Sequence, residues 1–188
     1  MKRRWIVLLL LFMMIGAAGY GFTREETQKV QRTSSPKVQI VYLEYESEKA
    51  NPLQEDQFPE VNQAIKEHFE KVKPEAGYVD SYDDLHVYTK IGKEPDTYVA
   101  FVTYNMKIRG IYTKVPGLAT FYVEKNSDRV QVIANPEDTE VQHYITRLTK
   151  HQDVQTLFQN VNEAYNQALQ SDALLREALN ELQNAYGS

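Results

Sequence analysis

The stretch from Thr97 to Ile111, "TYVAFVTYNMKIRGI", constrains the fold more than any other part of the chain. In an extended chain Tyr98, Ala100, Val102, Tyr104, Met106 and Ile108 share one face, and Val99, Phe101, Thr103, Asn105, Lys107 and Arg109 share the other. The first face is apolar throughout, whereas the second turns polar after Phe101. This pattern predicts a long curved strand, covered fully on one side and over part of its length on the other. Three further β segments surround it: Tyr82 to Ile91, Leu118 to Lys125 and Arg129 to Ala134. The connections "GKEPD", "TKVPG" and "NSD" are too short for parallel crossovers, so the expected arrangement is an antiparallel meander. Pro116 and Gly117 are expected at the turn before the third segment, because proline lacks a ladder N–H and glycine permits a reversal.

Helical periodicity flanks the strands. Pro59 and Glu60 open a helix whose apolar positions are Val61, Ile65, Phe69 and Val72, and Pro74 and Gly77 end it. After Pro136 the period changes from 2 to 3.6. Val141, Tyr144, Ile145 and Leu148 mark one short helix. Asp153 is the expected cap of a second, with a stripe of Val154, Leu157, Phe158, Val161, Tyr165, Ala168 and Leu169. Ser171 or Asp172 is the expected cap of a third, carrying Leu174, Leu175, Ala178, Leu179 and Leu182. The predicted class is α+β, with helices packed on one face of a curved antiparallel sheet.

Residues 1–22 read as a membrane-targeting segment. Lys2, Arg3 and Arg4 precede an uncharged stretch from Trp5 to Phe22, which as a helix rises about 27 Å. The small residues around Ala18 also fit a cleaved signal peptide, while Tyr20 and Phe22 at the interface favour an uncleaved anchor. Both readings export the remainder. Residues 23–37 are a polar tether with Val30 as their one aliphatic side chain, and residues 38–188 form a single extracytoplasmic domain. Lys37 to Glu46, "KVQIVYLEYE", has strand-forming composition, and "SEKANPLQEDQFPE" after it reads as a loop.

The formal charge of −5 falls to −8 without the three basic leader residues, which argues against nucleic acid and anionic lipid surfaces as partners of the body. The absence of cysteine excludes disulfides, thiolate metal sites, a cysteine nucleophile and cysteine lipidation. His68, His86, His143 and His151 have neither i, i+4 spacing nor an H-E-x-x-H pattern, so no metal site and no cofactor is expected. "DSYDD", Asp80 to Asp84, lacks the glycine and terminal glutamate of a calcium loop, and "EYESE" reads as a solvated face. Lys107, Arg109 and Lys114 form a basic patch too sparse for nucleic acid. There is no G-x-S-x-G, S-x-x-K, phosphate loop or Rossmann fingerprint. Tyrosine is abundant, at 13 residues, and Tyr98, Tyr104 and Tyr122 are the candidate lining of an aromatic pocket. The alternative is that they are core residues.

"YTKIG" from Tyr88, "TKVPGLATFYV" from Thr113 and "DVQTLFQNVNEAYNQALQSDALL" from Asp153 together resemble an uncharacterised group of bacterial extracytoplasmic proteins with a nuclear transport factor two-like fold. The resemblance spans about Val61 to Leu182, and Thr113, Pro116 and Gly117 are its most specific residues. It implies a curved antiparallel sheet wrapped over helices, with a cavity of variable size. Members follow a lipid-attachment cysteine or a membrane helix. This chain has no cysteine and one short helix before its sheet, which favours the membrane helix and a filled or partly open pocket. The resemblance supplies no catalytic residues. Taken together, these readings lead to a membrane-tethered, non-enzymatic domain that binds a protein or envelope component or associates with itself. A small apolar-ligand module is the alternative, followed by a component of a secretion or conjugation machine. An enzyme ranks last.

Overall fold

The alternating stretch forms the central strand of a five-stranded antiparallel sheet. The computed structural model describes residues 48–73, 77–127 and 129–186. In chain order they form β1 (Gln54–Glu55), α1 (Pro59–Val72), β2 (Val79–Ile91), β3 (Thr97–Ile108), β4 (Val115–Asn126), β5 (Arg129–Ile133), α2 (Thr139–Leu148), α3 (Gln152–Ser171) and α4 (Ala173–Tyr186). The strands lie side by side in sequence order, so the meander is as expected. The targeting segment, the tether and the strand expected over Lys37 to Glu46 fall outside the described residues. Among the described residues no helix is long and apolar enough to cross a membrane.

The two faces of β3 have the unequal cover that its sequence predicts. Tyr98, Ala100, Val102, Tyr104, Met106 and Ile108 are all buried against α1, whose Val61, Ile65 and Phe69 point into the same cluster. Burying an aliphatic or aromatic side chain of this kind contributes about 1.5–3 kcal/mol. On the opposite face Val99 and Phe101 pack with Leu118 and Tyr122 of β4, Val141 and Leu148 of α2, and Val154 of α3. Helices therefore cover both faces of the sheet, which corrects the one-sided packing expected from the sequence. The reason is α3: its first half, with Leu157, Phe158 and Val161, joins the second cluster, while Tyr165, Ala168 and Leu169 join the first. A single continuous stripe on a 20-residue helix serves two cores.

The Pro-Gly turn is a second correction. Pro116 and Gly117 lie inside β4, paired with Asn105 and Tyr104 of β3. The chain reverses earlier, within residues 109–114, where Gly110 has a φ of 78° that favours glycine. Proline is tolerated in β4 because β5 pairs only with Tyr122 to Asn126, leaving the Pro116 flank with one sheet neighbour. Gly117 is required for space: a Cβ there would lie 2.5 Å from Cζ of the Tyr104 ring.

Smaller differences follow from local chemistry. β2 begins at Val79, three residues before its predicted start, and carries register irregularities between Val79 and Ser81 and between Asp83 and His86. The expected loop before α1 contains β1, whose Gln54 and Glu55 pair with Thr89 and Tyr88. Asp138 caps α2 by accepting from the N–H groups of Glu140 and Val141. Asp172, one of the two predicted caps of α4, accepts from the N–H of Leu175. Leu174, predicted to be buried, is 66% exposed.

Candidate functional site

The three candidate pocket tyrosines do not share a space. Tyr98 and Tyr104 point from β3 towards α1 and are only 8% and 3% exposed. Phe58 packs on Tyr98 with ring centres 4.5 Å apart. Phe69 fills the region beside Tyr104, its ring centre 5.2 Å from Tyr104 and 5.1 Å from Tyr82. Tyr82 and Tyr104 themselves meet edge to face at 5.4 Å. Burial pushes both of these phenols well above their ordinary pKa, so neither ionises at physiological pH and neither can act as a general base. Tyr122 projects from the other face of the sheet, among Val99, Phe101 and Leu118. There it borders a shallow cleft of about 220 Å³, with Thr120, Asn135, Gln142 and Ile145 on its walls. Apart from the Tyr122 phenol, that lining holds no titratable group.

The residues at the other motif positions converge on one end of the sheet. Loop 109–114 is braced from several directions. The N–H of Arg109 donates to the Tyr78 carbonyl at 2.9 Å, and its guanidinium reaches Asp80 at 3.3 Å. Lys114 bridges Asp83 at 3.1 Å and Asp84 at 3.3 Å. Hydrogen bonds from Lys114 and Ser81 hold the Asp83 carboxyl below the usual carboxylate range, and those from Asn105 and Lys114 do the same for Asp84. The acidic "DSYDD" run and the basic patch are thus partners of each other. The Asp172 carboxyl, which accepts from the Leu175 N–H at the start of α4, is held low first by that N–H and then by Thr113 beside it. Asp172→Ala is expected to lower Tm by a few degrees in thermal unfolding, and Asp172→Asn by much less because its amide oxygen still accepts.

Two apolar side chains stand out at this braced end. Tyr112 is 99% exposed on the loop, and Leu174 is exposed in the first turn of α4, next to the Asp172 cap. Sequence alternation had no way to identify them, because each lies close to buried apolar residues, Val115 for Tyr112 and Leu175 for Leu174.

The opposite end of β2 holds a polar network that the sequence reading missed. The Lys90 side chain is fully buried, and its ammonium donates to Asp153 at 2.8 Å and to the Asn51 carbonyl at 2.6 Å. Asp153 also accepts from the Leu53 N–H at 2.8 Å, and its own N–H donates to Glu48. Asn51 clasps Ile91 through both the N–H and the carbonyl of that residue. Tyr144 of α2 donates to the same carbonyl. Burial works to raise the Asp153 pKa, but hydrogen bonds from Lys90 and Leu53 and the Lys90 charge outweigh it and keep the carboxyl below its ordinary range. This network fastens residues 48–53 to the end of the sheet at Ile91. The register pairs Ile91 with Tyr98 and Val79 with Ile108, so the Tyr112 loop lies at the other end of the strands, about 33 Å away at 3.3 Å per residue. Comparison of the chain with protein-family models, with curated proteins and with solved structures finds no match.

Proposed function

We propose that the protein is a membrane-tethered extracytoplasmic domain of the nuclear transport factor two-like type, without catalytic activity. It contacts a protein or another envelope component through the sheet end that carries Tyr112. The observation behind this reading is a 99% exposed aromatic ring on a loop held by ion pairs and by the Arg109–Tyr78 backbone bond, with Leu174 also exposed in the first turn of α4. Aromatic side chains on pre-ordered backbone supply contact area at little entropic cost, which is why they anchor interfaces. The basic and apolar residues of positions 2 to 22 support the tether. A helix on the inner face of a five-stranded sheet supports the cone-like fold.

The reading as a small apolar-ligand module has less support, because Phe58 and Phe69 fill the space beside Tyr98 and Tyr104. Assembly into a secretion or conjugation machine is one form that the partner takes under this proposal. A photoreactive amino acid at position 112 of the full-length protein, expressed in its own membrane, tests the contact. The expected result is a discrete crosslinked adduct at position 112 and none at exposed Glu163 on α3. Equal crosslinking at both positions, or none at either, removes the proposal.

A further inference from the structure

The short strand β1 places Glu55 opposite Tyr88 on the rim of β2. Asp56 follows, with its N–H donating to the Val87 carbonyl at 2.9 Å and a φ of 50°, in the left-handed region that aspartate tolerates. His86 precedes Tyr88 by two residues, and its Nδ1 lies 2.9 Å from Oε1 of Glu55. One donor atom from each of Glu55, Asp56 and His86 lies within 4.8 Å of the others. We propose that these three side chains form a divalent-cation site, with one imidazole nitrogen and two carboxylate oxygens suited to Zn²⁺ and water completing the coordination. This inference is independent of the partner-binding reading.

The groups behind the donors distinguish the cluster from a surface ion pair. Asn62 of α1 donates its Nδ2 to Asp56 Oδ1 at 3.0 Å, while its own Oδ1 is buried with no hydrogen-bond partner among the described residues. The amide is thus oriented as a donor to the carboxylate, even though its acceptor goes unused. Asp56 thus has a protein donor behind it, as ligating carboxylates do in built metal sites. Binding through Nδ1 requires the neutral His86 tautomer with its ring proton on Nε2, which leaves the Nδ1 lone pair for the metal. Two carboxylates and a neutral imidazole then balance the charge of the ion. The donors are 31 residues apart in sequence, which is why histidine spacing gives no sign of them.

The test is calorimetric titration of the metal-stripped full-length protein in detergent with Zn²⁺ alone, repeated with Co²⁺ to read its visible absorption. One ion per chain is expected, together with a Zn²⁺-dependent rise in Tm. His86→Ala is expected to weaken binding by at least about tenfold, and Asn62→Ala, which touches no ion, by about tenfold through the supporting bond. Wild-type affinity in His86→Ala, or no saturable binding in the unmodified chain, overturns the site. Loss in His86→Ala with unchanged affinity in Asn62→Ala also overturns it, leaving an adventitious ion only.

Discussion

Asp153→Ala is expected to destabilise the protein by about 3–5 kcal/mol, because it leaves the Lys90 ammonium buried without its counter-charge. The Asn51 carbonyl still accepts from Lys90, but a carbonyl dipole does not balance the charge of a buried ammonium. The two partners are not equivalent. Asp153 keeps 28% of its side chain exposed and still accepts from the Leu53 and Val154 N–H groups, so Lys90→Met has the smaller effect. Replacing both together is expected to recover most of the loss, since a buried pair contributes little over apolar residues of similar volume. Urea unfolding of the three variants measures this order. The pH dependence has a definite sign. The folded Asp153 carboxyl sits below its unfolded value of about 3.9, so its contribution is complete above that value and is lost as pH falls through the folded one. Asp153→Asn should lose this part of the acid limb of the stability profile and change little between its pH 6 and pH 8 values.

Gly117→Ala is the second large effect, about 2–3 kcal/mol, or a fall in Tm of about 6–9 °C. The new methyl would sit 2.5 to 2.7 Å from Cζ, Cε2 and Oη of Tyr104. Such contacts are relieved easily when the neighbour is a flexible side chain, but this ring is wedged between Phe69 and Tyr82. Gly117→Val is expected to be worse. In a Tyr104→Leu background the alanine should cost much less, and a double-mutant cycle with coupling near zero would contradict the packing explanation.

These two sites mark where the sequence was readable and where it was not. The meander, α1 and the stripe of α3 follow from periodicity, because alternation and the 3.6 repeat directly report which side of an element is covered. The position of Pro116 and Gly117 could not be read in this way. Turn chemistry and a close ring contact both select glycine, and only the register with Tyr104 tells them apart. The cover on the second face of the sheet depends on how α3 passes between clusters, which a helical period does not encode. Lys90 reads as an ordinary solvent-facing residue near the end of a strand until Asp153, 63 positions later, is brought to it. The Tyr112 loop was the least legible part. Tyrosine in a β-rich sequence signals core, whereas Tyr112 falls in the reversal between β3 and β4, past the covered strands.

Under the proposed function the domain lies outside the membrane with Tyr112 presented to the exterior. Since the chain contains no cysteine, Tyr112→Cys in the full-length protein provides a single reactive thiol. Intact cells, stripped of an outer membrane where there is one, would be treated with a membrane-impermeant maleimide. Complete labelling without lysis is the expected result, and labelling that appears only after lysis would rule out an exterior domain.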